Sequence, residues 1–164
     1  MMLAPYNTCP VPINQQPRNE YNILRESYLF SLPILPSEAF FYKLLNIWLS
    51  TLFFSIPIAL LNINFKKDLV LSVLLTINIS SVLLVLIFLR IYLGWSYVSK
   101  RLLSATILYE ESGWYDGAIW IKTPIELVQD RLIAQYTIKP VLKRIQYCTQ
   151  VFILIIMLSY IWIL

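Results

Sequence analysis

Three stretches of this chain carry no side-chain charge: 22 residues from Leu44 to Phe65, 21 from Leu69 to Leu89, and the last 20, from Ile145 to Leu164. No other feature constrains the fold as strongly. As α-helices rising 1.5 Å per residue, each run is roughly 30 Å long, about the thickness of a bilayer's hydrocarbon core. A buried helix of a soluble protein would normally keep a polar face, and these runs have none. The composition agrees. With 59% hydrophobic residues, 13% charged residues and a mean hydropathy of +0.68, the chain lies far from the roughly 45–50% apolar and 25% charged makeup of soluble domains. The expected fold class is an α-helical membrane protein with three transmembrane helices. The first two form a hairpin closed by Lys66-Lys67-Asp68, and the third is a C-terminal span.

Charge sets the orientation. Eleven of the thirteen lysines and arginines lie before the first run or between the second and third. A hairpin places both of those segments on one side, which the positive-inside rule makes cytoplasmic or stromal. Tyr42 and Trp48 near one boundary, with Tyr160 and Trp162 near the other, fit aromatic belts. No secretory signal is apparent. Glu20 and Glu26 balance Arg18 and Arg25, so an arginine-rich, acid-poor transit peptide is not expected either.

Several chemistries are excluded early. Histidine is absent, which removes histidine triads, carboxylate–histidine metal sites and ordinary neutral-pH proton shuttles. Cys9 and Cys148 are too few for a disulfide framework. The net charge of +4 is dispersed rather than clustered, so no nucleic-acid partner is expected.

The chain divides into four parts. Residues 1–38 read as an extended, proline-rich arm with a short helix around Asn19–Phe30. Residues 39–98 form the hairpin, 99–144 a polar segment, and 145–164 the last span. Gly94, Gly113 and Gly117 fall within 24 residues and mark sharp backbone turns. Alternation through Ala105–Tyr109 and a second run at Ala118–Ile121 predict a short β-hairpin around a turn at Glu111–Tyr115. Thr123-Pro124-Ile125-Glu126 is a capping box with proline at the first helical position. The interfacial helix it opens should reach about Lys139, with Ile125, Val128, Leu132 and Tyr136 on one face, before Pro140 breaks or kinks it.

Candidate sites are sparse, and no catalytic, cofactor or metal site is expected. Glu110, Glu111 and Asp116 could hold a hard cation or do acid/base work, but three carboxylates at a glycine turn read more simply as solvated turn residues. Asp130 and Arg131 point about 100° apart on a helix and are expected to pair with other groups. Gly113 and Gly117 have the spacing of a membrane dimer motif, yet Trp114, Tyr115 and Asp116 lie between them, and the motif is rejected. Cys9 reads as a plain thiol and Cys148 as a packing residue. Inside the bilayer, Asn78 is expected to donate to Phe53 C=O, Thr51 or Ser55, near the helical gap that Pro57 leaves in the first span, the alternative being that it faces a third helix or another chain.

Cys9-Pro10-Val11-Pro12 and Gln16-Pro17-Arg18-Asn19-Glu20-Tyr21 resemble the N-terminal signature of a family called hypothetical chloroplast reading frame thirty-six. Tyr109-Glu110-Glu111-Ser112-Gly113-Trp114-Tyr115-Asp116-Gly117, with Trp120 and Lys122, is similar to its central block. Asp130-Arg131-Leu132 and Lys139-Pro140-Val141-Leu142 resemble its continuation. Ala118 stands where the family pattern has glutamine. Relatives occur in cyanobacteria and algal plastids and, as nucleus-encoded plastid proteins, in the green lineage and diatoms. The resemblance implies a plastid (chloroplast) membrane protein; the expected membrane is the thylakoid, and the charge rule then puts the N-terminus and residues 99–144 on the stromal side. It also implies a role in biogenesis or protection near the photosynthetic apparatus.

Two function classes follow. One is a non-enzymatic assembly or maintenance factor, with the lipid bilayer and a membrane protein of the photosynthetic apparatus as partners. Its contact residues would be Cys9, Pro10, Val11, Pro12, Trp114, Tyr115, Asp116 and Trp120. The other is a membrane-interface enzyme or a pigment- or lipid-handling protein using Glu110, Glu111 and Asp116. A transporter fits least, because no ionisable residue lies between Lys43 and Lys66 or between Asp68 and Arg90, and Arg90 is expected to end a helix.

Overall fold

The computed structural model describes residues 9–62, 69–110 and 117–163. Among the described residues, three helices are long and apolar enough to cross a membrane, within Ser37–Ala59, Val70–Leu103 and Pro124–Trp162. In chain order the elements are α1 (Pro17–Glu26), α2 (Ser37–Asn62), α3 (Leu69–Leu103), β1 (Thr106–Glu110), β2 (Gly117–Ile121), α4 (Pro124–Leu132) and α5 (Lys139–Ile163). Short 3₁₀ turns at Ile13–Gln15 and Leu32–Ile34 flank α1.

The main core is a seam between α3 and the last helix. Leu84, Phe88, Ile91, Trp95, Val98 and Leu102 are buried at alternating spacings of four and three, as are Ala134, Ile138, Val141 and Ile145 opposite. This is the seven-residue apolar repeat of a left-handed helix pair. The two helices run antiparallel: Phe88 stacks on Phe152, Tyr92 meets Gln146 and Asn78 meets Ser159. The α2–α3 contact is different. Thr51, Ser55 and Ala59 recur every fourth residue and are buried, and Ser72, Ser80 and Ser81 are buried on α3. Small side chains allow close backbone approach where lipid offers no hydrophobic drive.

Four sequence expectations change. The second long helix does not end at Arg90 but continues to Leu103, because the apolar seam persists beyond the charge. The Arg90 guanidinium lies 5.6 Å from the centre of the Phe30 ring. Gly94 is not a turn. It lies inside α3, where a Cβ would come 2.5 Å from Phe30 Cε1, so glycine is needed for close approach. Pro140 neither breaks nor ends the helix that begins at Pro124. A π-helical segment, Ile133–Ile138, precedes it, with the Lys139 N–H bonded to Ala134 C=O five residues back. The wider turn absorbs the missing proline donor and relieves its ring's clash with the carbonyl four residues earlier. The N-terminal arm, finally, is folded rather than extended. Tyr21 and Leu32 enter the main core, Tyr21 packs edge-on to Trp95 at 5.9 Å, and Trp95 Nε1 donates to Phe30 C=O at 3.1 Å.

The small sheet matches the reading of its sequence. β1 and β2 pair antiparallel, with Ile107 opposite Trp120 and Leu108 opposite Ile119.

Candidate functional site

The site begins with the start of α4. Thr123 Oγ1 accepts from Glu126 N at 3.4 Å, Glu126 Oε2 accepts from Thr123 N at 3.1 Å, and Pro124 occupies the first turn. This capping box sets the direction of α4 and carries Asp130 to its inward side. The Asp130 side chain is 5% exposed. Its Oδ1 receives Arg18 Nε from α1 at 2.6 Å, and its Oδ2 receives Lys122 Nζ at 2.8 Å.

Lys122 is the centre of this network. Its side chain is 2% exposed, and its ammonium also donates to Arg101 C=O at 3.0 Å and Leu102 C=O at 3.1 Å. Those carbonyls belong to the last turn of α3, where helical donors run out and the dipole is negative. One buried cation therefore caps α3, fixes the strand end at Ile121 and ties both to α4. Arg18 adds α1 to the assembly and donates through Nη2 to Gln129 Oε1 at 2.7 Å. A second pair, Arg101 with Glu20, joins α3 to α1, and Arg101 Nη2 reaches Gln15 C=O at 2.9 Å. Glu20 Oε2 is buried without a hydrogen-bond partner among the described residues. Burial accordingly pushes the Glu20 carboxyl above the usual carboxylate range, and the Arg101 guanidinium only partly offsets this.

Beside the network lies a cavity of about 130 Å³, lined by Cys9, Arg18, Trp120, Lys122, Glu126 and Asp130 among others. Small-molecule pockets run about 300–1,000 Å³, so this one suits a few waters or a small ion rather than a substrate. Both oxygens of Asp130 are already engaged by cations. It is therefore a strut and a poor general base.

Of the residues picked from the sequence, Val11 is buried with Ile107 and Tyr109 in a second small core, against which Cys9 and Trp120 pack half-buried. Pro10 and Pro12 are exposed on either side of Val11. Trp120 Nε1 is buried and lacks a partner among the described residues. Glu111, Trp114, Tyr115 and Asp116 lie outside the described residues, as does the side chain of Glu110. Elsewhere, no group of three or more acidic or cysteine side chains that could hold a metal ion occurs among the described residues.

The expected pin between Asn78 and the first long helix is corrected. Ser159 Oγ, on α5, donates to Asn78 Oδ1 at 2.6 Å. Thr51 and Ser55 instead donate to carbonyls of their own helix, Trp48 and Leu52, both at 2.8 Å. Hydroxyls near a helical gap are easily satisfied within the helix, and the seam geometry turns Asn78 toward α5.

Sequence reasoning also missed a surface. The hairpin's outer face carries Leu108, Ile119 and Ile121, each at least 64% exposed; Ile125 and Val128 on α4 are exposed as well. Strand Gly117–Ile121 carries no polar side chain on either face, which already signals a second covering layer. The network members Arg18 and Lys122 were visible only as charges.

A family model described as CGLD27-like, conserved in the green lineage and diatoms 27, matches residues 9–151. A ycf36 protein of Porphyra purpurea is 45% identical over 140 residues, 85% of each chain. One from Cyanophora paradoxa is 45% identical over 154 residues, 90% of this chain and 93% of the relative. An Arabidopsis thaliana protein, named conserved in the green lineage and diatoms 27, chloroplastic, is 44% identical over 143 residues. Those cover 87% of this chain but 44% of that protein. The resemblance read from the Cys9–Pro12 and Tyr109–Gly117 blocks is thereby confirmed. No solved structure matches.

Proposed function

The chain belongs to the CGLD27-like family, and on that premise we propose that it is a non-enzymatic integral protein of the plastid thylakoid that assists assembly, maintenance or protection of photosynthetic complexes. The three long apolar helices cross the membrane, and the N-terminus and residues 99–144 stand on the stromal side. The observation that carries this reading is the exposed apolar face of Leu108, Ile119 and Ile121. It sits on a head clamped by the Lys122–Asp130–Arg18 network. α3 runs thirteen residues beyond Arg90 before the hairpin starts, about 20 Å of helix. That height favours a protein surface over lipid as the counterpart. Pro10 and Pro12, exposed on either side of Val11, are further candidate contacts at the opposite face of the hairpin.

The test is affinity purification of the tagged full chain from mild detergent, with the co-purifying complex identified. Ile119→Lys is expected to remain in the membrane and lose the partner, since a charge buried at an apolar contact is costly. Unchanged co-purification by Ile119→Lys would sink the docking reading. For topology, cysteines introduced at Lys100 and at Trp162 should label from opposite sides of sealed vesicles. Same-side labelling would remove the three-span arrangement.

A further inference from the structure

We propose that the groove between α2 and α5 is a binding site for an anionic membrane lipid, with an acyl chain in the trough and the headgroup on Arg144. This rests on the membrane placement above. The groove has a volume of about 330 Å³, within the range of small-molecule sites. Its walls are Phe41, Leu44, Tyr147, Val151 and Phe152, and its polar residues, Ser37 and Arg144, are the earliest lining residues of their helices. The two helices carry the same polarity order. Ser37 leads to Leu44 over about 10 Å of α2, and Arg144 leads to Phe152 over about 12 Å of α5. Arg144 immediately precedes the uncharged run to Leu164, and Lys43 immediately precedes the run to Phe65. The groove thus straddles the boundary between charged and uncharged chain on both helices, as a lipid does between headgroup and tail.

Arg144 is held ready for an anion. Its Nη1 donates to Leu35 C=O at 2.7 Å and Pro33 C=O at 3.1 Å, and the guanidinium lies 5.3 Å from the centre of the Phe40 ring. Those bonds fix the plane of the group. Nε and Nη2, with three N–H donors between them, have no partner among the described residues. A fixed, half-satisfied guanidinium suits the paired oxygens of a phosphate or sulfonate. Glu38, the acid in the first turn of α2, does not line the groove. An apolar peptide would leave these donors unpaired, whereas an anionic amphiphile satisfies both ends.

The experiment uses the purified full chain in mild detergent with equimolar phosphatidylglycerol and phosphatidylcholine, and retained lipid is counted by native mass spectrometry. Phosphatidylglycerol should be retained about fivefold over phosphatidylcholine, the preference worth one cation near a lipid surface. Arg144→Gln should abolish that preference. Val151→Trp fills the trough while leaving Arg144 in place, and should lose retention of both lipids. Equal retention of the two lipids by the unaltered chain overturns the proposal. So does unchanged retention by Val151→Trp, or displacement of the lipid by millimolar inorganic phosphate. Alkaline extraction of the native membrane separates the premises. A chain that resists extraction yet retains neither lipid rejects the lipid site alone, whereas an extracted chain rejects the membrane placement as well.

Discussion

Replacing Asp130 by alanine should be among the most damaging single changes in the polar head. The substitution strands two cations of different surroundings. The Arg18 side chain is 44% exposed and can rehydrate, so its lost pair contributes little. Lys122 is 2% exposed and would keep only the carbonyls of Arg101 and Leu102. Removing one partner of a buried pair costs about 3–5 kcal/mol. At roughly 2–4 °C per kcal/mol for a chain of this size, the midpoint of thermal unfolding should fall by about 6–20 °C. Circular dichroism of the full chain in mild detergent measures it. The double variant Lys122→Met with Asp130→Leu removes both charges and keeps most of the volume, and should recover most of the loss. A fall of less than about 2 °C in Asp130→Ala would refute the reasoning. So would a double variant as unstable as the two single changes added together, because the pair would then not be coupled.

Gly94→Val should destabilise by about 1–3 kcal/mol, since its Cβ meets the Phe30 ring, and Phe30→Ala in the same chain should relieve part of that; a denaturation series that finds no relief removes the close-approach argument. Asn78→Leu and Ser159→Ala should each cost little, with a coupling of about 0.6 kcal/mol in a double-mutant cycle. Ser55→Leu should cost more than either by separating α2 from α3; the reverse order would mean that hydrogen bonding, not small-residue packing, joins the helices. Glu20 gives a pH signature. Its folded form holds the proton more tightly than the unfolded chain, so its contribution is present below the unfolded pKa and is lost as pH rises through the folded one. Glu20→Gln should therefore flatten the fall in unfolding midpoint from about pH 4.5 upward, and an unchanged pH profile would show that the carboxyl is not desolvated.

What the linear sequence determined is what depends on local or one-dimensional physics. Uncharged runs of bilayer length define the three long helices whatever packs against them. Thr123 and Glu126 close a capping box within four residues, and the short apolar runs at residues 105–109 and 118–121 around the glycines mark a hairpin, whose register the structure supplies. The family, too, was legible, from the contiguous blocks at Cys9–Pro12 and Tyr109–Gly117. Tertiary structure decided everything that depends on which faces meet. Gly94 reads as a turn until Phe30 is seen against it, and Arg90 reads as a helix end until the seam from Leu84 to Leu102 is seen to continue past it. Asn78 had polar candidates on two helices, and its choice of Ser159 follows from the rotation of α3 about the core. Lys122 and Arg18 lie 104 residues apart, and nothing local distinguishes a solvated charge from one that caps a distant helix through a shared aspartate. Ion pairs and seams are made by long-range approach, and the sequence records their members without their partners.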